Sequence, residues 1–275
     1  MNSVRHSLTY NFSTEKDITM AETNAQIIVS QVDQIATIQL NRPDKLNALN
    51  RDMLDALDAE ISRLHRDSRS RVVIVTGSGE RAFCAGADLN ELAKFDVDGI
   101  RAWVFAGNRV LSRLASLPVP VIAAVDGYAV GGGFELALAC DLRIASESAS
   151  FGLPEITHGW FPGWGGIDRL LNIIGEGKAK ELVFLGERID AQAAFGLGLV
   201  NRVVPRAALM EETLKIAASL AQKSPLALRS AKAALSRNPL PENGYEISYQ
   251  ALALSSCFNT PEVQAGLQAF LNRKR

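Results

Sequence analysis

Two short stretches, "RVVIVTG" at 71–77 and "VIAAVDG" at 121–127, constrain the fold of this chain most. Each is a run of β-branched and small apolar residues without polar alternation, closed by glycine, and each reads as a fully buried strand. What flanks them is helical. "NRDMLDALDAEISRLHRD" places Met53, Leu54, Leu57, Ile61 and Leu64 on one face behind Asn50 as N-cap, and "IRAWVFAGNRVLSRLASL" is stopped by Pro118 and Pro120. Strand, helix, strand in this order predicts an α/β core with parallel strands.

Ahead of that core, Ile27 to Val32 and Ile35 to Leu40 alternate around Asp33-Gln34, the pattern of a hairpin ended by Arg42-Pro43. Beyond about residue 205 only alanine- and leucine-rich helical stretches remain, broken at Ser224-Pro225, at "NPLPENG" and at Thr260-Pro261. The expected organisation is a flexible extension over 1–24, with Met20 as a second plausible start, a core over 25–204 and a helical region over 205–275. No internal repeat is visible in the letters.

The charge balance excludes several functions. With 29 Lys and Arg against 30 Asp and Glu, the chain has no basic excess to favour nucleic acid or an anionic membrane. No apolar run approaches the ~20 residues that span a bilayer. Cys84, Cys140 and Cys257 are odd in number and far apart, so neither a disulfide framework nor a metal pair is expected; a reducing, cytoplasmic setting fits. His6, His65 and His158 show no metal spacing, and a Ser-His-Asp site around His158 lacks its G-x-S-x-G elbow. Gly131-Gly132-Gly133 and "GEGKA" match neither dinucleotide nor phosphate-loop patterns.

Those glycines nevertheless introduce Glu135, the one charge between Asp126 and Asp141 in "VDGYAVGGGFELALACD". A carboxylate in the first turn of a helix gains from the macrodipole, but a lone charge among apolar neighbours needs further partners. Backbone N–H groups at such a turn can hold a developing oxyanion, and "AFCAGADLNEL", with Ala85-Gly86-Ala87, is a second turn of the same kind. Glu155 in "ASFGLPEITHGWFPGWGG" is either an exposed loop residue or the second member of an acid/base pair.

Four segments in order, "NRPDKLNALN", "GERAFCAGADLNEL", "PVIAAVDGYAVGGGFELALACDLRIASESASFGLPEITHGWFPGWGGIDRL" and "AFGLGLVNRVVP", resemble the crotonase (enoyl-CoA hydratase/isomerase) superfamily, over about residues 26 to 275. The resemblance implies a spiral of ββα units with a helical C-terminal region that builds trimers, usually paired into hexamers. It implies an oxyanion hole from the N–H groups of Ala87 and Gly132, catalytic roles for Glu135 and Glu155, and coenzyme A as part of the substrate, with no separate cofactor and no metal. Lys45, Asn47 and Ala48 are expected to border the pantetheine and phosphates. The turn through Ala85, Gly86, Asp88 and Leu89 is expected to meet adenine and pantetheine, with Arg42 and Lys45 offsetting phosphate charge. Gly131, Gly163 and Trp164 are expected among the residues that bind the substrate.

Retention of both glutamates favours an enoyl-CoA hydratase. A double-bond isomerase would use Glu155 alone, a carnitinyl-CoA dehydratase would use both acids on another acyl group, and a binding protein would need neither. Trp164 stands where classical short-chain hydratases often have a small residue. With Trp160 and Phe161 it reads either as packing or as a wall that narrows the acyl pocket.

Overall fold

The computed structural model describes residues 26–235, 255, 258 and 261–272. The expected extension over 1–24, the break at "NPLPENG" and Cys257 lie outside these residues. Strands β1 (Ile27–Val32) and β2 (Ile35–Leu40) pair antiparallel across Asp33-Gln34, as the alternation predicts. Helix α1 (Arg51–Arg66) starts where the Asn50 side chain accepts the Met53 N–H, and it buries the five apolar residues of the predicted stripe.

The two apolar stretches form β3 (Val72–Gly77) and β5 (Val121–Val125), parallel neighbours. Their uniform apolarity follows from cover on both faces. Val73, Val75, Val121, Ala123 and Val125 join the main core with α1 and α3 (Val97–Ala115). Val72, Ile74, Ile122 and Ala124 point the other way, onto Leu209, Ala217 and Ala221 of α7 (Leu209–Ala221).

A ββα unit, invisible as a repeat in the letters, recurs three times. β3 is followed by β4 (Ala82–Cys84), the short α2 (Leu89–Leu92) and α3. β5 is followed by β6 (Tyr128–Val130) and α4 (Gly132–Leu138), and β7 (Leu142–Ser146) by β8 (Ser150–Gly152) and α5 (Gly166–Leu185). β9 (Arg188–Asp190), α6 (Ala191–Gly196) and β10 (Arg202–Val204) complete the strands. The first strand of each unit enters a six-stranded sheet ordered β1-β2-β3-β5-β7-β10, and the second enters a four-stranded sheet ordered β4-β6-β8-β9. Beyond β10 the described elements are helices, α7, α8 (Pro225–Leu235) and α9 (Pro261–Asn272), the last two beginning at the prolines that the sequence marks.

The small sheet positions the site. β4, β6 and β8 are parallel neighbours, so the turns that leave their C-terminal ends lie side by side. Those turns carry Ala85-Gly86-Ala87, Gly131-Gly132 and Leu153-Pro154-Glu155. Ligands of α/β sheets bind outside such carboxyl ends.

Candidate active site

Each turn has a backbone reason to be where it is. Gly131, after β6, has φ 55° and ψ −131°, a conformation that disfavours any side chain, and its N–H donates to the Gly152 carbonyl at 2.9 Å. The next residues wind into α4, which is buried along its whole length. Gly86, after β4, has φ 88°, and a Cβ there would sit 2.9 Å from the Val130 carbonyl oxygen and 3.1 Å from the Gly132 nitrogen, so the two turns touch.

Ala87 forms an isolated parallel bridge with Leu49: Leu49 N–H donates to Gly86 O at 2.7 Å, and Asp88 N–H donates to Leu49 O at 2.8 Å. In that geometry the N–H of Ala87 itself faces away from Leu49. Neither it nor the Gly132 N–H, the first of α4, meets a protein acceptor among the described residues. Two adjacent turns thus present two available donors beside one cavity, the arrangement that can stabilise an oxyanion.

That cavity, about 270 Å³, also receives Glu135 and Glu155. Glu135 is 2% exposed, and its Oε1 accepts the Trp164 N–H at 2.7 Å and the Gly166 N–H at 2.8 Å. Gly166 opens α5, so this carboxylate lies in the first turn of its own helix and caps the start of another. The approach is too close for a side chain: a Cβ on Gly166 would lie 2.5 Å from Glu135 Cγ. Burial pushes the Glu135 carboxyl above the usual range, opposed by the Gly166 and Trp164 amides, the nearby Arg169 charge and the Gly163 amide.

Glu155 lies in the 3-10 turn Pro154–His158. Its Oε2 is buried with no hydrogen-bond partner among the described residues, which corrects the reading of an exposed loop residue. Burial first, and then the charge of Glu135, push its carboxyl up to about 8. The two acids are therefore electrostatically linked and differently surrounded, one held by amides and the other bare.

The segment supporting Glu135 is itself tied down by residues that the sequence reading did not single out. The Arg169 guanidinium donates to the Trp164 carbonyl at 2.9 Å, and Asn108 of α3 donates to the Gly163 carbonyl. Arg143 anchors the far end of α4 through the Ala137, Cys140 and Leu199 carbonyls. Polar side chains that bond only to backbone leave no signature in spacing. Trp103 and, from α9, Gly266, Leu267 and Phe270 also line the cavity.

The expected coenzyme A border divides in two. Ala85, Gly86, Ala87 and Leu89 line the cavity with Gly131, Gly163 and Trp164, while Lys45 is exposed nearby in chain order on the 3-10 turn Pro43–Lys45. Ala48 is half-buried and offers its carbonyl to Arg42 Nη1 at 2.6 Å. Three others act inside the loops. Asn47 is fully buried at φ 55°, with its Oδ1 accepting from Arg42 N–H and its Nδ2 donating to the Ser78 and Ala82 carbonyls. Asp88 caps α2 through the Asn90 N–H, and Arg42 pairs with Asp88 at 2.9 Å, so the Arg42 charge is already balanced within the protein.

The comparisons agree on one family. The model for "Enoyl-CoA hydratase/isomerase" matches residues 30–275. The short-chain-enoyl-CoA hydratase of Clostridium acetobutylicum is 39% identical, over 90% of this chain and 95% of the relative. The 2,3-dehydroadipyl-CoA hydratase of Escherichia coli is 40% identical, over 91% of this chain and 97% of the relative. Among solved structures, an enoyl-CoA hydratase from Bacillus anthracis superposes with a TM-score of 0.76 at 41% identity, covering 90% of this chain and 96% of that one.

Proposed function

The chain belongs to the enoyl-CoA hydratase/isomerase family, and from that premise we propose that it adds water across the 2,3 double bond of an enoyl-CoA thioester to give the 3-hydroxyacyl-CoA. The observation that carries this reading is the pair of carboxyls on one cavity, Glu135 held by amides and Glu155 with a bare Oε2. A carboxylate held by N–H donors is the natural base, and a carboxyl raised to about 8 is a natural acid at neutral pH.

The reaction then runs as follows. The thioester oxygen accepts hydrogen bonds from the Ala87 and Gly132 N–H groups, which draw electron density from C3 as the oxygen gains enolate character. Glu135 takes a proton from a water whose oxygen bonds to C3, and Glu155 gives its proton to C2. The pair ends with its proton on Glu135, and exchange of that proton resets the site. In the reverse direction each step inverts, so the same single proton serves both directions.

Lys45 is the cation we assign to the phosphates of coenzyme A, since Arg42 is committed to Asp88. Asn47, Asp88 and Arg42 shape that border from within. Phe184, Leu185 and Phe195 expose large apolar surfaces around the end of α5 and on α6, which supports assembly into trimers and, as in the family, hexamers. A reducing aqueous compartment such as the cytoplasm is the proposed setting; no helix among the described residues is long and apolar enough to cross a membrane.

Crotonyl-CoA offered to the protein should lose its enoyl-thioester absorbance and yield a product heavier by one water. Conversion of a 3-enoyl to a 2-enoyl ester with no water addition would instead establish an isomerase.

A further inference from the structure

The Trp164 indole lines the cavity beside Glu135 and Gly132. A Cβ on Gly107 of α3 would lie 2.1 Å from its Cε2 and Nε1, and a Cβ on Gly132 would lie 2.6 Å from its Cζ3. The five-membered ring is therefore seated against α3, and the six-membered ring lies on the glycine whose N–H faces the thioester oxygen. Trp103 backs it with ring centroids 5.4 Å apart, and Phe95 backs Trp103 at 5.9 Å. Its backbone is fixed at both ends, N–H to Glu135 at 2.7 Å and carbonyl to Arg169 at 2.9 Å. An indole packed against α3, Gly132 and Trp103, with its backbone tied at both ends, is a wall rather than a gate.

The rest of the acyl side is apolar, from Leu92, Trp160, Phe161, Leu267 and Phe270, and the described lining contains no Lys or Arg. A terminal carboxylate would find no Lys or Arg among the described lining residues, only His158, and it would share the cavity with Glu135 and Glu155.

We propose that Trp164, seated in the socket left by Gly107, is the acyl-length stop of this site and restricts it to short, uncharged enoyl groups. The proposal rests on the hydratase reading. It also separates this chain from its relative named for 2,3-dehydroadipyl-CoA, despite 40% identity.

The test is kcat/KM over trans-2-enoyl-CoA esters from crotonyl to dodecenoyl, together with 2,3-dehydroadipyl-CoA, for wild type, Trp164→Ala and Gly107→Ala. One methylene too many in a tight apolar pocket changes specificity by about 10–200-fold. Wild type should favour crotonyl-CoA and reject dehydroadipyl-CoA. Trp164→Ala should raise the decenoyl-to-crotonyl ratio by about ten-fold or more, and Gly107→Ala, which pushes the indole inward, should lower the hexenoyl-to-crotonyl ratio. An unchanged length profile in folded Trp164→Ala, or dehydroadipyl-CoA used as well as crotonyl-CoA, would overturn the proposal while leaving the hydratase reading intact. If Trp164→Ala does not fold, Gly107→Ala decides alone, an unchanged profile again counting against the stop. If no enoyl ester is hydrated by wild type, both readings fall.

Discussion

Raising the pH through about 8 should slow hydration and dehydration together. In the proposed mechanism hydration needs Glu135 ionised and Glu155 protonated, and dehydration needs the reverse, yet each form holds one proton on the pair. Both directions therefore follow the same macroscopic titration. With the Glu155 carboxyl at about 8, the pair keeps its proton in about nine-tenths of molecules at pH 7 and just under one-tenth at pH 9, so kcat/KM should fall about ten-fold between them. The acid limb should lie above the ordinary carboxylate range, because burial also raises Glu135. Stability carries the same sign. Between the unfolded value near 4.5 and the folded value near 8, the unfolded chain has lost a proton that the folded chain keeps, so this group's contribution falls as pH rises through that window. Glu155→Gln removes the titration and should gain thermal stability relative to wild type toward pH 8. Loss of crotonyl-CoA absorbance and its return from 3-hydroxybutyryl-CoA give the two profiles. A plateau from pH 7 to 9, or alkaline limbs that separate between directions, would refute the shared proton.

Gly166→Ala would put a Cβ 2.5 Å from Glu135 Cγ and displace the carboxylate, so kcat should drop by about 10²-fold with KM little changed, as steady-state kinetics can show. Arg169→Met removes a charge that lowers the Glu135 pKa, so the acid limb of the pH–rate profile should move to higher pH, with Arg169→Lys restoring part of the shift. Asn47→Ala would strand the Arg42 N–H and the Ser78 and Ala82 carbonyls, at about 1–3 kcal/mol for each buried group, and should lower the urea midpoint markedly.

Much of this molecule was legible in its letters because the relevant signals are local. The Asn50 cap and the Met53-to-Leu64 stripe gave α1 its start and its buried face, and the unalternating runs gave β3 and β5. The four-stranded sheet was not legible: its strands are three residues long, too short for a period to declare itself, and parallel pairing between distant segments leaves no mark on either. The site divides similarly. Glu135 stood out as a charge among apolar residues, but its partners are backbone amides of Trp164 and Gly166, about thirty residues away, and an amide is the same whatever letter carries it. Arg42 read as a counter-charge to phosphate because its charge is visible in sequence, whereas its pairing with Asp88, 46 residues on, is not. Trp164 is buried against Trp103 and lines the cavity, so the packing reading holds and the pocket-wall reading is what the acyl-length series tests.

The account stands most directly on turnover of crotonyl-CoA by Glu135→Gln, Glu155→Gln and the double variant, each with its fold verified by circular dichroism. Each single change should cost about 10²–10⁴-fold in hydration. Because the two carboxyls work as one unit, the double variant should be scarcely slower than the slower single. Near wild-type hydration by either folded single variant would contradict the central claim.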